Sequence, residues 1–186
     1  MILKRALLIL LATVLLCSSA WAQDSEQGAT EIQISQTYPS KTLGNLMLPF
    51  GWNAEAIDSL KRLVATEPNT AAPAILTVDL VDDLPKDIDL AELAQSVASA
   101  MAESIGATAE MQAEEIQYDC GQKKCPSLTV YRTSFKGIEK SVQRQCAIEI
   151  VPVQGRMIVL TMCGVTSKLY RPEFGEVLNQ VFASMK

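Results

Sequence analysis

The segment CAIEIVPVQGRMIVLTMC places two cysteines at equal distances from a central Gln154-Gly155 pair, which we interpret as a tight turn. A two-residue turn at this point aligns Cys146 directly opposite Cys163 on two antiparallel strands. The alternation of the hydrogen-bond ladder makes this a non-hydrogen-bonded pair, with about 4.5 Å between the Cα atoms. Because that separation is within reach of a disulfide, the spacing predicts a hairpin that is cross-linked by Cys146 and Cys163.

Residues 1–22 have the three parts of a secretory signal peptide: a basic start at Lys4 and Arg5, an apolar run, and an Ala-Trp-Ala motif that ends at Ala22. The apolar run is shorter than the roughly 20 residues that span a bilayer, so we expect cleavage rather than a membrane anchor. We do not expect a lipid anchor at Cys17, since leucines precede it where lipidation motifs have small residues. The mature chain is therefore predicted to be periplasmic.

The mature chain divides into a polar leader at residues 23–30, interpreted as disordered, and a single predicted domain at residues 31–186. Loss of the signal peptide removes two basic residues, which changes the net charge from −5 to −7. An acidic domain is a poor ligand for nucleic acid and for anionic membranes. No other apolar run is long enough to cross a bilayer, so we expect neither a nucleic-acid partner nor a membrane span.

The other two mature cysteines, Cys120 and Cys125, frame the tip of a second predicted hairpin, DCGQKKCP. An even number of cysteines in an exported chain is typical of disulfides, so we predict a bond between Cys120 and Cys125, although four cysteines allow three pairings. A redox couple and a zinc site are the alternatives. Redox couples usually have Cys-x-x-Cys at a helix start, and zinc sites commonly use two closely spaced pairs. Neither pattern occurs here, which favours a structural role.

Hydrophobic periodicity predicts an α+β fold, with helices that cover an antiparallel sheet. Helices are predicted at residues 53–65, from Asp89 to Gly106, and after Pro172. A tight turn is predicted at Lys136-Gly137, within a C-terminal meander of strands. Apolar side chains occupy both faces of the last hairpin, so both faces of the sheet are expected to be covered. The two sets are Ile148, Ile150 and Val159 on one face, and Val151, Ile158 and Leu160 on the other.

The sequence contains no histidine, which removes the commonest general base and metal ligand. No phosphate-binding loop or metal motif is present either. The acidic run VDLVDDLPKDIDLAE raises the possibility of calcium, but its spacing matches no EF-hand, and acids gather at helix starts for capping and dipole reasons. We therefore predict that the protein is not an enzyme, with no catalytic residue, cofactor or metal.

Basic and aromatic residues are the candidates for binding a protein partner. Lys123 and Lys124 lie at the cysteine-framed tip, and Lys136 and Lys140 flank the next turn of an otherwise acidic chain. Such a basic surface would meet an acidic partner and show salt-dependent association. Trp52, in the sequence LPFGW, is a candidate aromatic anchor, and packing at the edge of the core is the alternative for its ring.

The segments LMLPFGWN and RMIVLTMCGVTSKLYRPEFGEVLNQVFASMK resemble the PsbP-like and DcrB-like group of exported α/β domains. In that group a Pro-Gly-Trp-like turn ends an early strand, and a late strand leads into a closing helix. Tyr170, Phe174 and Leu178 occupy positions similar to those of that late segment. The resemblance implies a PsbP-like α/β/α sandwich that makes protein contacts, including photosystem assembly and the handling or neutralising of secreted toxins. It implies no catalytic residues.

These features together predict a periplasmic, non-catalytic protein-binding module, with an immunity-type inhibitor or an assembly or accessory factor as its concrete forms. The first alternative is a periplasmic protein that binds a small molecule or a metal ion. The second alternative is a carboxylate-based hydrolase, which ranks last because aromatic residues that would line a glycan cleft are scarce.

Overall fold

A computed structural model of the chain describes residues 34–69, 71–85, 87–117, 127–153, 155–165 and 181–182. Within those ranges the chain forms nine β-strands, one complete α-helix and a 3₁₀ turn. The elements are β1 (Ile34–Ser40), β2 (Gly44–Pro49), β3 (Asn53–Ile57), the 3₁₀ turn (Asp58–Leu60), β4 (Arg62–Thr66), β5 (Ile75–Val81), α1 (Leu90–Ser104), β6 (Gln112–Gln117), β7 (Ser127–Glu139), β8 (Val142–Val153) and β9 (Arg156–Val165).

Seven strands form one antiparallel sheet in the order β3-β4-β5-β9-β8-β7-β6, and β1 pairs with β2 in a separate antiparallel hairpin. The predicted register of the last hairpin is confirmed, because Val153 pairs with Arg156 and Cys146 pairs with Cys163. Strands β8 and β9 lie inside the large sheet, with neighbours on both sides. Their two-sided apolar pattern follows from this position, since both faces must be covered.

Two hydrophobic clusters cover the two faces of the large sheet, and each takes the side chains of β8 and β9 that the sequence assigns to it. The first cluster packs α1 against the sheet: Ala94, Val97, Ala98, Ala102, Ile105, Phe135, Cys146, Ile148, Ile150, Met157 and Val159. The second cluster packs the β1–β2 hairpin against the opposite face: Leu43, Leu46, Leu48, Trp52, Leu63, Ala65, Ala74, Leu76, Val78, Val130, Ala147, Val151, Leu160, Met162, Val181 and Phe182.

The predicted fold class, an α+β sheet covered by helices as a PsbP-like α/β/α sandwich, is wrong. The antiparallel sheet is present, but strands dominate the described residues and α1 is the one complete helix among them. Helix α1 covers one face, whereas the β1–β2 hairpin and the helical residues Val181 and Phe182 contribute to the cluster on the other. The rest of the closing helix predicted after Pro172 lies outside the described residues. None of the helices in the described ranges has the length and hydrophobicity of a transmembrane span.

The helix predicted at residues 53–65 is also wrong, because this segment is the β3–β4 hairpin. Leu63 and Ala65 alternate toward the second cluster and are fully buried, which is the period of a strand. Leu60, a member of the predicted helical stripe, lies in the 3₁₀ turn and is 38% exposed. An apolar stripe of so few residues fits both the helical period of 3.6 and the strand period of 2. Pairing of β4 with β5 favours the strand.

The tight turn predicted at Lys136-Gly137 is wrong as well, since β7 continues through both residues. The chain reverses instead at Lys140 and Ser141, which both have positive φ, as a two-residue hairpin turn requires. Gly137 serves another purpose. A Cβ atom at this position would collide with the backbone carbonyl of Ile105, so the glycine allows the end of α1 to approach β7.

Helix α1 is confirmed at the position that the sequence predicts. The side chain of Asp89 accepts hydrogen bonds from the backbone N–H groups of Ala91 and Glu92, and so caps the first turn. Gly106, at φ +66°, ends the helix in the left-handed conformation that glycine adopts without strain. The backbone N–H of Ile138 then donates to the carbonyl of Ile105 at 2.7 Å, which joins the end of α1 to β7.

We predict that Gly137→Ala lowers the free energy of unfolding by about 2–3 kcal/mol, the cost of overpacking against an immovable backbone. The φ angle of Gly137 is not positive, so the loss comes from the clash with Ile105 and not from backbone strain. Urea unfolding followed by circular dichroism measures the change. Ser134→Ala, at an exposed position of the same strand, is the control. An unchanged midpoint for Gly137→Ala would show that α1 does not need this close contact.

Candidate functional site

The Cys146–Cys163 disulfide joins the central strands β8 and β9 on the face that α1 covers. The Cα atoms are 4.2 Å apart, which agrees with the predicted register. Cys146 is 3% exposed and Cys163 is partly exposed, and both lie on central strands and not at the helix start where redox couples are found. The predicted disulfide is confirmed, and its position between two central strands favours a structural role. The second predicted pair, Cys120 and Cys125, lies outside the described residues.

A cavity of about 60 Å³ lies beside this disulfide, between the C-terminal half of α1 and the sheet. Its wall is mostly apolar and includes Ile75 from β5, Met101 from α1, and Ile105 at the helix end. Ser104 also lines the cavity and is exposed, so the cavity reaches the surface beside the end of α1. The disulfide therefore forms part of a partly open apolar recess.

Two threonines are among the residues that line this recess. Thr77 and Thr161 lie opposite each other on β5 and β9, and both line the cavity. The hydroxyl of Thr161 lies 4.0 Å from the sulfur of Met101, which makes it a weak donor to that atom. Thr77 is 6% exposed, and its Oγ1 has no hydrogen-bond partner among the described residues. A buried hydroxyl without a partner costs about 1–3 kcal/mol, which makes Thr77 unusual for a folded interior.

The charged groups beside the recess form a pair. Arg144 donates from Nε to Glu139 Oε2 at 3.2 Å, and both residues line the cavity. The side chain of Arg144 is 6% exposed and that of Glu139 is 20% exposed. The pair therefore presents compensated charge to the recess.

A buried ion pair joins Arg62 and Asp79, which lie opposite each other on β4 and β5. Their side chains are 1% and 7% exposed. Burial raises the pKa of Asp79 above its ordinary value of 3.8, and the hydrogen bond and charge of Arg62 offset this only in part. The pair joins β4 to β5 and lies next to Thr77 on the same face of the sheet.

Glu149 is a second buried carboxylate, on β8 at a position where the neighbouring residues are apolar. Arg132, opposite it on β7, donates from Nε to Glu149 Oε2 at 3.1 Å and also contacts Glu114. Oε1 of Glu149 has no hydrogen-bond partner in the described part of the chain. Burial raises the pKa of Glu149 above its ordinary value of 4.5, Arg132 lowers it, and the charge of Glu114 raises it further. The balance is a raised pKa, so burial outweighs the ion pair.

The residues of the acidic run, which begins in β5 and extends into α1, have several structural roles. Asp79 pairs with Arg62, and Asp89 caps α1. Asp82 contacts Lys61 through Oδ2, and its Oδ1 lies 3.3 Å from Arg156 Nε in an orientation that forms no hydrogen bond. In the ranges that the structure describes, no three histidine, cysteine, aspartate or glutamate side chains come together as a metal site.

The turn after β2 presents an aromatic ring to solvent. Trp52 donates its backbone N–H to the carbonyl of Pro49 at 3.3 Å, and Gly51 has φ +76°, as a type II turn requires. Gly51 also donates its N–H to the side-chain oxygen of Gln36 on β1 at 3.0 Å. Phe50, at the tip of this turn, is 71% exposed, the largest exposed fraction among the large apolar side chains described. A fixed backbone thus holds a phenylalanine in solvent.

The predicted partner-binding residues occupy different environments. Lys136 on β7 and Lys140 in the β7–β8 turn are both exposed. Trp52 packs in the second cluster with 7% of its surface exposed, which agrees with the packing alternative for its ring. Lys123 and Lys124 lie outside the described residues. Partner binding by these five residues stays a prediction.

Sequence reasoning missed Phe50, Thr77 and Glu149. A signal for Phe50 was present in the Pro-x-Gly spacing, which ends β2 and places the middle residue at the tip of a turn. Alternation along β5 puts Thr77 on the same face as Ile75, but nothing in the sequence shows that its hydroxyl lacks a partner. Glu149 interrupts a long apolar strand, and a charged residue in that setting is a signal for a buried ion pair.

Comparisons with known proteins find similar structures and no sequence relatives. No family model matches the chain, and no curated protein matches its sequence. A Pseudomonas aeruginosa protein of unknown function, PA94, described as a candidate regulator, aligns with a TM-score of 0.47 and 12% identity over 81% of this chain and 95% of its own. LpqN of Mycobacterium tuberculosis, described as involved in cell envelope biogenesis, aligns with a TM-score of 0.41 and 12% identity over 88% of this chain and 85% of its own.

We predict that the double variant Cys146→Ala/Cys163→Ala loses about 3 kcal/mol of unfolding free energy, since the bond closes a loop of 17 residues. Urea unfolding of the variant and of the oxidised wild type measures the difference. The wild type reduced with dithiothreitol is a second comparison, because it keeps both side chains but loses this bond together with the predicted Cys120–Cys125 bond. Equal midpoints for all three samples would contradict a stabilising role.

We also predict that burial of Glu149 makes stability fall as the pH rises. A raised pKa in the folded state means that the folded protein binds this proton more tightly than the unfolded chain. The resulting stability is fully present below the ordinary carboxyl value of 4.5 and is lost as the pH rises through the raised folded value. Asp79 acts in the same direction.

Glu149→Gln removes the carboxyl group that binds this proton and keeps a side-chain oxygen that can accept a hydrogen bond from Arg132. The free energy of unfolding of this variant, relative to wild type, should therefore increase from pH 4 to pH 7. Urea midpoints at several pH values measure the trend. Glu115→Gln, which removes an exposed carboxylate from β6, controls for the change in net charge. A difference between Glu149→Gln and wild type that is constant with pH would refute the raised pKa.

Proposed function

We propose that this protein is a periplasmic, non-catalytic protein-binding module that uses the turn at Phe50 as an aromatic anchor. The observation that carries the proposal is the 71% exposure of Phe50 on a turn whose backbone is fixed. Aromatic residues are enriched at protein interfaces, and an anchor held in its bound geometry loses little entropy on association. Burial of such a ring removes a large apolar area from water, which is the main source of binding energy.

The surroundings of Phe50 support this assignment. Met47, which lies three residues earlier on β2, is 38% exposed, whereas Leu46 and Leu48 on either side of it are fully buried. The buried leucines attach β2 to the second cluster, so the exposed side chains are carried by a strand that is anchored to the core. Association at Phe50 therefore does not require a flexible loop to become ordered, which avoids an entropic cost of binding.

Export to the periplasm is supported by the signal-peptide pattern and by the disulfide. The bond between Cys146 and Cys163 is of the kind that forms and persists in oxidising compartments. The carboxylates Asp79 and Glu149 are held in ion pairs with Arg62 and Arg132. Such pairs also occur as purely structural features, which is compatible with the non-enzymatic form of the proposal.

Two finer assignments follow from the proposed module. One is an immunity-type inhibitor that blocks a toxin delivered to the periplasm, and the other is an assembly or accessory factor of the cell envelope. Both agree with the resemblance of the LPFGW and C-terminal segments to PsbP-like and DcrB-like domains. In either form the partner would place an apolar pocket over Phe50.

Affinity capture tests the module. The tagged, oxidised mature protein is used as bait in extracts of the native cells, and the bound proteins are identified by mass spectrometry. We expect one stoichiometric partner that Phe50→Ser releases, with at least a tenfold loss of affinity, because truncation of an aromatic anchor costs about 2 kcal/mol or more. Circular dichroism of the variant confirms that it remains folded.

Ile138→Ser is the matched control, since Ile138 is 62% exposed at a different turn-adjacent position. The double variant Lys123→Glu/Lys124→Glu tests the basic tip separately. A partner that Phe50→Ser retains and the double lysine variant releases would reject the Phe50 anchor in favour of the tip. The absence of any stoichiometric partner across salt and growth conditions would reject the module itself.

A further inference from the structure

Strand β3 is an open edge of the large sheet and directly follows the turn that carries Phe50. Its hydrogen-bonded neighbour among the described strands is β4 alone. Alternate residues of an antiparallel strand direct their N–H and C=O groups to opposite sides, so two or three of the five residues of β3 direct theirs away from β4. Within the described ranges these groups bond to no other element. The edge therefore has the donors and acceptors that an added strand needs.

The side chains of β3 leave this backbone accessible. Its pairing with β4 has no bulge, and the strand contains neither lysine nor proline, which are features that commonly protect an edge. Ala54 and Ala56 are small, and the charge of Glu55 projects from one face only. The other edge, β6, carries the adjacent exposed residues Glu114 and Glu115, so that a charge projects from each of its faces. Strand β3 is therefore the less protected edge.

Charge near the edge indicates which kind of strand would fit. Glu55 and Asp58 are exposed and have no ion-pair partner in the part of the chain that the structure describes. The basic residues that follow, Lys61 and Arg62, are already engaged in ion pairs. A basic side chain on an added strand would complement the two carboxylates.

A second copy of the chain is a poor occupant of the same edge. The antiparallel register that pairs all five residues of β3 with those of a second copy places Glu55 opposite its own equivalent. Like charges directly opposite each other on paired strands are destabilising. The net charge of −5 adds a general repulsion between copies.

We propose that the β3 edge binds an extended segment of the protein partner as an added antiparallel strand, with a lysine or arginine opposite Glu55. This inference rests on the protein-binding function proposed above and specifies the chemistry of the partner. Antiparallel pairing is slightly more stable per residue than parallel pairing. In this orientation the segment runs from Ile57 toward Asn53, and an apolar residue at its C-terminal end lies beside the turn of Phe50.

Titration of the oxidised mature protein with the heptapeptide acetyl-Thr-Val-Lys-Val-Thr-Val-Leu-amide tests the edge. The peptide places its lysine opposite Glu55 and its leucine beside Phe50. We expect saturable shifts of the amide NMR signals of β3 and Phe50, with a dissociation constant in the millimolar range or below. Solvent exchange of alternate β3 amides should also slow, because the N–H groups that face away from β4 become hydrogen-bonded to the peptide.

An exchange of charges tests the residue opposite Glu55. Glu55→Lys should weaken binding of the lysine peptide about fivefold, since an exposed ion pair is replaced by a repulsion. A second peptide, with glutamate in place of lysine, should bind Glu55→Lys more tightly than it binds the wild type. Glu115→Lys makes the same change at an exposed position of β6 and should leave the affinity for the lysine peptide unchanged.

Three results would overturn the proposal. The first is a set of shifts that fail to saturate or that are centred on β6. The second is the same preference for the lysine peptide in wild type and in Glu55→Lys. The third is a dimer, detected by sedimentation, whose formation slows solvent exchange of the β3 amides, because it would assign the edge to a second copy.

Partner capture separates this inference from the function on which it rests. A captured partner that Phe50→Ser releases and Glu55→Lys retains with unchanged affinity would reject the β3 edge and leave the module intact. The absence of any captured partner, together with saturable binding of the lysine peptide at β3, would reject the Phe50 module and retain the edge as a strand-binding site.

Discussion

The pairing of β8 with β9 is the constraint on which the other layers depend. Both strands are central in the sheet, and alternate side chains of each enter two different hydrophobic clusters. A slip of one residue would move Ile148 and Ile150 from the α1 face to the opposite face, and it would also separate Cys146 from Cys163. The tight turn, the two-sided apolar pattern and the disulfide specify the same register three times, which is the consistency expected of a well-specified fold.

The position of α1 follows from that sheet and in turn creates the recess. Gly137 lets the helix end approach β7 until the N–H of Ile138 bonds to the carbonyl of Ile105, and this backbone contact fixes the end of α1 over the sheet. The side chains of Thr77 and Thr161 beneath it are too small to fill the remaining space. The recess is therefore bordered by a helix end that a backbone hydrogen bond attaches to the sheet.

The sequence predicts those parts of the fold in which local pattern and tertiary packing agree. The register of Cys146 and Cys163 and the cap of α1 at Asp89 belong to this class, since turn chemistry and capping are local. The β3–β4 segment does not, because its short apolar stripe fits two periods and only the pairing of β4 with β5 separates them. Gly137 is a second case of this kind. A glycine that allows another segment to approach closely cannot be distinguished, in sequence, from a glycine that allows a turn. The recess escapes prediction altogether, because it depends on how closely α1 packs on the sheet, which no local pattern in the sequence specifies.

The turn at Phe50 and the recess beneath α1 lie on opposite faces of one rigid layer, which limits how they can influence each other. Phe50 follows β2, whose leucines pack in the second cluster, whereas Thr77 and the recess belong to the α1 face. The sheet between them is cross-linked by a disulfide and has no second arrangement of its register that preserves both clusters. Coupling between distant sites requires a structural element that has two states and whose equilibrium both sites shift. A sheet whose register is set by a turn, an apolar pattern and a disulfide is a poor candidate for such an element. A substitution that fills or enlarges the recess should therefore change the free energy of unfolding and leave the affinity at Phe50 unchanged.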